Sequence, residues 1–332
     1  MKKAVLLINL GTPLQPTKKE VSRFLTQFLN DPYVIDIPWV FRKLLVNMII
    51  VPFRTAKSTK MYQKLWTTEG SPILYHLNKL GHELQSEIGA EMQVFTAMRY
   101  GSPDLRLTLE SIADAKIEQL IVLPLFPQYA TSTSGSIIHS VQKEMKRMDN
   151  SFQISIIQDF YNHPYFIQAF TQKINSHQPE NFDHIIFSYH SLPEKQLEKL
   201  HPEYKCVDCI CENEMPEYGK NCYKAQCYET TRLLVRSLQL RPADYSVTFQ
   251  SRFAKKWIGP FTEDLIKELA NDGKKRVLVV SPSFVADCLE TLVEIKQDYA
   301  ALFKSNGGEE LVLVESLNSD KIWVKAIASI VL

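Results

Sequence analysis

Residues 4–13 read AVLLINLGTP: five apolar residues in a row, then Asn9, Leu10 and the stop Gly11-Thr12-Pro13. The run does not alternate apolar with polar, so it predicts a strand covered on both faces rather than one face of an open sheet. It is short and stops abruptly, which reads as a buried strand and not as a signal peptide. Three later runs have the same character: QLIVLPL at 119–125, HIIFS at 184–188 and RVLVV at 276–280. Helix-length segments lie between them, at 20–30, 72–88 and 136–146. Alternating β and α signals predict an α/β, doubly wound architecture with parallel strands.

The four runs also form a coarse repeat. The first ends in LGTP and its later partner in LPLFPQYATSTSGS; the third ends in SYHSLPEK and its later partner in SPSFVADCLETL. Two similar α/β halves would give this pattern. The polar stretch INSHQPEN at 174–181 is the expected boundary, giving halves 1–175 and 176–332. Ligands of open α/β sheets sit beyond the carboxyl ends of strands, where all four polar segments fall. The expectation is an active site in a cleft between the halves.

Composition narrows the function. The 332 residues carry 38 Lys plus Arg against 37 Asp plus Glu, a formal net charge of +1. That balance does not suggest a nucleic-acid surface, which shows a basic excess. No stretch of about 18 uncharged apolar residues occurs, so no transmembrane helix is expected. The longest candidate, 37–53, is interrupted by Arg42 and Lys43 and bounded by Pro38 and Pro52. Within it Trp39, Phe41, Leu44, Leu45, Met48 and Ile49 form an amphipathic stretch. A core helix is one reading; a lip around a hydrophobic ligand, resting on a membrane surface, is the other.

Chemistry-bearing residues follow the strands. His190 comes directly after HIIFSY, and an imidazole takes up and releases protons near neutrality; a hydrogen-bonded loop histidine is the plain alternative. Asp287, Glu290 and Glu294 are spaced three and four apart, which on a helix starting near Asp287 makes one acidic face. Such a row would draw in a divalent cation and help remove protons. The competing reading is a capping box, with Asp287 as N-cap and Glu290 three residues on, or a merely solvated face. Ser134-Gly135-Ser136 opens an expected helix whose N–H groups offer an anion site, although Ser and Gly start helices regardless of function. No GxGxxG or Walker sequence is present, so nucleotide binding is not favoured.

Five of the six cysteines, Cys206, Cys209, Cys211, Cys222 and Cys227, fall in one short segment, about 201–227. Four thiolates close together suit a [2Fe–2S] cluster. Zinc is the competitor, and a set of free thiols the third reading. Cys288 lies apart, between Asp287 and Glu290.

At this point the sequence resembles the ferrochelatase family over nearly its whole length. The resemblance is carried by LLINLGTP, YQKLWTTEGSPI, AMRYGSP, LPLFPQYATSTSGS, SYHSLPE, AQCYETT, FQSRFAKKWIGPFTE and FVADCLETLVEI, in the family's order and spacing. It implies two Rossmann-like halves around a porphyrin cleft, with a C-terminal extension. The implied activity is insertion of Fe2+ into protoporphyrin IX, giving protohaem and two protons.

The resemblance also implies roles. His190 matches the active-site histidine and Glu290 the carboxylate facing it across the macrocycle, both as catalytic and iron-handling groups. Asp287 and Glu294 match the acidic row behind. Arg99, Tyr129 and Trp257 match cleft-lining residues, and Arg54 and Lys57 match basic lip residues that contact propionates. Leu10 stands where the coproporphyrin-using branch has Tyr, which favours protoporphyrin. Some bacterial members carry a [2Fe–2S] cluster on an internal insertion at the place of the cysteine segment, while cluster-free members also have Cys at the AQC position. The implied ligands are therefore Cys206, Cys209, Cys211 and Cys222, with Cys227 in reserve and zinc as the alternative metal.

A coproporphyrin ferrochelatase, a chelatase for another tetrapyrrole, and a non-catalytic haem or iron–sulfur sensor remain the competing functions. The expected location is cytoplasmic, with the 37–53 lip offering contact with the inner membrane. No nucleic-acid partner is expected, and the sequence names no protein partner.

Overall fold

The computed structural model describes residues 2–148 and 152–332. Eight strands are present among them: β1 Lys3–Gly11, β2 Gln93–Tyr100, β3 Gln119–Pro124, β4 Gln153–Ile156, β5 His184–His190, β6 Tyr245–Gln250, β7 Arg276–Val280 and β8 Glu310–Leu313. They make two four-stranded sheets, ordered β2-β1-β3-β4 and β6-β5-β7-β8. Every pairing within them is parallel. The two sheets have one topology used twice, as the repeated sequence runs imply.

In the first sheet Ala4, Leu6 and Ile8 join Leu120 and Val122 in a core closed by helices Leu105–Asp114 and Ser136–Met148. Val5 and Leu7 are equally buried, and helix Pro72–Ile88 packs on β1 and β2. Parallel strands joined by helical crossovers are covered on both sides, and this is why β1 shows no polar alternation. The second sheet repeats the scheme: Ile186, Val277, Val279 and Leu313 pack with Ile266, Ile295 and Phe303 from the helical segments that follow. Gly11 ends β1 at φ +128°, and a Cβ there would meet the Tyr100 carbonyl oxygen at 2.0 Å, so the turn after β1 requires glycine.

The chain divides into two compact units, residues 1–126, 130–159 and 319–332 in one, and 127–129 with 160–318 in the other. The division at 159/160 precedes the expected one at 174–181, because helix Pro164–Ser176 packs on helix Tyr223–Leu238 of the second unit. The C-terminal residues, expected in the second half, belong to the first: helix Lys321–Val331 packs on helix Pro72–Ile88, with Trp323 fully buried.

Residues 39–65 form helix Trp39–Leu44, a π-helical stretch Leu45–Ile50 and helix Val51–Leu65. The first part is turned inside out. Arg42 is buried and donates to the carbonyls of Ile35 and Ile37. Trp39, Phe41, Leu44, Met48, Ile49 and Phe53 are exposed, Phe53 by 81%. A core helix is therefore not what this segment forms. No helix of the described residues is long and apolar enough to cross a membrane.

Candidate active site

His190 is the last residue of β5. Its Nδ1 lies against the backbone carbonyl of Ser191. A carbonyl only accepts, so Nδ1 carries the hydrogen and donates, and in the neutral ring Nε2 is left with its lone pair. Trp257 and Phe284 flank the ring, both with centroids 6.4 Å away. The strand end is held by buried hydroxyls and an amide: Ser188 Oγ donates to Gln250 Oε1 at 2.7 Å, and the Ser191 N–H donates to the Gln250 carbonyl. Gln250 ends the neighbouring strand β6, and its side-chain amide donates to the Glu290 carbonyl at 3.3 Å. One glutamine thus ties the histidine strand to the start of the acidic helix.

That helix is a ten-residue π-helix, Glu290–Tyr299. Such helices are rare, and their occurrences are frequent at functional sites. The wider turn brings residues four apart closer to line than an α-helix does, which suits Glu290 and Glu294. Glu294 accepts hydrogen bonds from Ser251 Oγ and from Tyr299 Oη at 2.8 Å. Burial pushes its carboxyl above the ordinary value despite these donors, the Glu290 charge pushes the same way, and the His190 charge opposes. His190, Glu290 and Glu294 are therefore one electrostatic group. The Cys288 thiol, buried and hydrogen-bonded to Glu290, is pushed well above its usual range by burial first and by that carboxylate second.

Asp287 departs from the expected row. The helix opens at Glu290 after Leu289, so Asp287 is neither on it nor its N-cap. Its carboxylate is buried and accepts from Thr291 Oγ1 at 3.1 Å, the Ser316 N–H at 3.2 Å and Asn318 Nδ2 at 2.8 Å. Three donors account for this charge locally, and two glutamates remain for the row.

Glu294 yields a stability prediction. A raised carboxyl pKa means the folded chain holds its proton more tightly than the unfolded one. Its favourable contribution is complete below the ordinary value of 4.5 and is lost as pH rises through the folded value. Glu294→Gln lacks this titration. Urea unfolding of both proteins at pH 4 and pH 7 is expected to show the stability of the variant relative to the parent rising with pH; a relative stability that stays constant or falls would count against the assignment.

The other expected contact residues are distributed as follows. Tyr129 is half-buried, and its backbone N–H donates to Gln226 Oε1 at 2.6 Å. Trp257 bridges Pro193 beside the histidine loop. In the first unit Leu10 is half-buried at the end of β1 and packs against the cluster of Val21, Phe24 and Tyr100. Arg54 and Lys57 are exposed, one helical turn apart, next to Phe53. Arg99 stacks on Tyr100 at 4.6 Å, and its Nε donates to Ser136 Oγ at 2.8 Å. Residues 131–135 form a π-turn and the α-helix begins at Ser136. The anion found there is the protein's own: Ser136 Oγ donates to the buried carboxylate of Asp31 at 2.7 Å. Tyr299 and Asp31 carry no sequence signal, and Gln250 and Ser251 carry one only as part of FQSRFAKKWIGPFTE, since each is an ordinary polar residue until the fold brings its partner to it.

The cysteine segment consists of short 3-10 turns leading into helix Tyr223–Leu238, with Cys222 at its N-cap. Among the described residues no three His, Cys, Asp or Glu side chains stand at a spacing that holds a metal ion. Cys206, Cys209, Cys211 and Cys222 nonetheless influence one another. The Cys211 thiol donates to Cys209, which with its other donors brings Cys209 down to about 5 and raises Cys211. Burial, then the Cys222 charge, pushes Cys206 up to about 12. Tyr218 Oη donates to Cys209 Sγ at 3.6 Å, and Arg232 Nη1 to the Cys211 carbonyl at 2.8 Å. Lys224, buried and paired to Glu212 at 3.1 Å, exerts its positive charge on all four thiols. Cys227 is fully buried in the helix and hydrogen-bonded to Tyr223 and Ser283. The first four are sulfur donors of the type that binds soft metals; burial raises Cys206 and Cys222, the bond to Cys209 and then burial raise Cys211, and the Lys224 charge opposes the rise in all three.

Comparison with solved structures identifies the fold. The chain superposes on SirB from Bacillus subtilis with Fe3+ at a TM-score of 0.54 and 11% identity, over 100% of this chain and 94% of that one. The sirohydrochlorin chelatase SirB from Bacillus subtilis subspecies spizizenii in complex with cobalt gives 0.53 and 9%, over 99% and 93%. The fold is therefore that of chelatases. The sequence is more specific. The model of the family described as Ferrochelatase matches residues 2–332. Proteins named ferrochelatase from Coxiella burnetii are 43% identical over 98% of this chain and 91% of their own length. Those from Legionella pneumophila are 41% identical over 100% and 99%. The chain belongs to the ferrochelatase family.

Proposed function

We propose that this chain inserts Fe2+ into protoporphyrin IX, producing protohaem and releasing two protons. The observation that carries the reading is His190 at the end of β5, with Nδ1 committed to a carbonyl and Nε2 open, in one electrostatic group with Glu290 and Glu294. A free-base porphyrin holds its nitrogen lone pairs in the ring plane, so binding must bend the ring, the strain being offset by contacts remote from the nitrogens. His190 Nε2 accepts a pyrrole proton or guides the metal, and Glu290 with Glu294 performs the opposite task. The raised carboxyl of Glu294, hydrogen-bonded to Ser251 and Tyr299, holds a proton more readily than a free carboxyl does, which suits a group that takes one up and passes it on. The family resemblance assigns porphyrin contacts to Leu10, Arg54, Lys57, Arg99, Tyr129 and Trp257. Asp287, with its carboxylate already satisfied, acts by fixing the approach to the π-helix.

The exposed apolar residues between Trp39 and Phe53, with Arg54 and Lys57 beside them, support a contact with a membrane surface. The four thiols around Lys224 support a [2Fe–2S] cluster on Cys206, Cys209, Cys211 and Cys222, with zinc as the alternative and Cys227 in reserve. Metal binding would draw the thiolates together, and its energy would become folding energy for a segment with little apolar surface. The cluster supplies structure or regulation; the porphyrin chemistry stays with His190 and Glu290.

An anaerobic assay of the purified protein with protoporphyrin IX and Fe2+ tests the function, with rapid Fe2+-dependent turnover as the expected result. Leu10 gives an apolar wall in place of a hydroxyl, so kcat/KM for protoporphyrin is expected to exceed that for the four-propionate coproporphyrin. A markedly higher value for coproporphyrin would reverse the substrate assignment, and absence of turnover on any porphyrin would leave a sensor.

A further inference from the structure

The first unit buries a carboxylate that the reaction does not use. Asp31 follows the helix Lys18–Leu29 and is 5% exposed. Oδ1 accepts the Tyr33 N–H at 2.8 Å, which fixes the side chain by a local Asx-type turn. Oδ2 accepts from Arg99 Nη2, from Tyr100 Oη at 2.7 Å and from Ser136 Oγ at 2.7 Å. Burial alone would raise its pKa; the bonds from Ser136, Tyr100 and Tyr33 and the charge of Arg99 outweigh burial and leave it below the ordinary value. A carboxylate held by four donors, from β2, the helix at Ser136 and its own turn, is a rigid anchor.

What it anchors is Arg99. The guanidinium is gripped on two nitrogens, Nη2 by Asp31 and Nε by Ser136, and its plane rests on the Tyr100 ring. Among the described residues Nη1 has no acceptor. Arg99 lines a pocket of about 500 Å3 together with Thr26, Gln27, Asn30, Lys43 and Asp104. A free arginine loses rotamer freedom when it meets a ligand; this one has already lost it.

We infer that Asp31 is a positioning residue for porphyrin binding: it holds Arg99 in one orientation so that Nη1 meets the substrate as a fixed donor. This rests on the reading that Arg99 contacts the porphyrin.

The test is a double-mutant cycle on the full-length protein, with protoporphyrin affinity followed by quenching of its fluorescence. Asp31→Asn keeps the shape and removes the charge. It is expected to weaken porphyrin binding about tenfold, the scale of one lost charge-assisted hydrogen bond, and to raise KM with kcat within about twofold of the parent. Arg99→Gln is expected to weaken binding by a similar factor, and adding Asp31→Asn to it to change affinity by less than about twofold. A purely stabilising carboxylate would instead lower the folded fraction, and so kcat, without coupling to Arg99. Parental affinity in Asp31→Asn, or effects of the two changes that multiply, would overturn the proposal. Parental affinity in Arg99→Gln would overturn the reading it rests on, and the proposal with it. If Asp31→Asn does not fold, Ser136→Ala removes the Nε anchor instead. A twofold to threefold loss of affinity, absent in the Arg99→Gln background, is then expected, and no loss is the overturning result.

Discussion

His190→Ala is expected to bind porphyrin and to lose metal insertion by a factor on the order of 10²–10⁴, the range removed with a general acid–base group. The loss should fall on kcat, because the flanking rings of Trp257 and Phe284 that shape the surroundings remain. No second base adjoins position 190 in sequence: Ser191 is buried, with its hydroxyl committed to the Ile258 carbonyl, and Leu192 and Pro193 follow. Glu290→Gln keeps the shape, removes the charge and should be strongly impaired as well. Stopped-flow loss of porphyrin fluorescence on mixing with Fe2+ separates insertion from binding. Near-parental insertion rates in both variants would rule out the assignment.

The cysteine segment carries the second large effect. Protein purified anaerobically is expected to be reddish-brown, with about two irons and two sulfides per chain beyond any substrate iron. Single serine replacements at Cys206, Cys209, Cys211 or Cys222 should abolish the colour and expose residues 201–222 to proteolysis. This segment is built from short 3-10 turns and has little apolar burial to order it alone. Cys288→Ser should keep the colour, since that thiol is bonded to Glu290 and not to the segment. One zinc and no sulfide would replace the cluster by a zinc site, and a colourless, metal-free protein of full stability would defeat both.

The four strands legible in the sequence are β1, β3, β5 and β7, the two central strands of each sheet. The four that were not legible are the edges. Central strands are buried on both faces and read as unbroken apolar runs; β4, QISI, with exposed Gln153 and Ser155, does not. The helix-length segments between the runs are legible as well, and Pro72–Ile88 matches its expected span. His190 and the glutamates were visible because strand ends are where chemistry collects. The π-helix was not: nothing in ETLVEIKQDY distinguishes it from an α-helix, and only the structure separates Asp287 from Glu290 and Glu294. The sequence leaves the helix at 39–44 between a core helix and an exposed lip for a similar reason. An apolar stripe states what is alike, not which side faces the core, and the burial of Arg42 is decided by the carbonyls of Ile35 and Ile37.

The return of helix Lys321–Val331 to the first unit bears on synthesis. Its partner, helix Pro72–Ile88, leaves the ribosome early, and the whole of the second unit is translated before Trp323 exists to cover it. Domains ordinarily complete themselves in order of emergence. Here helix Pro72–Ile88 must wait with part of its apolar cover missing, and the nascent chain exposes that face for as long as the second unit takes to be made.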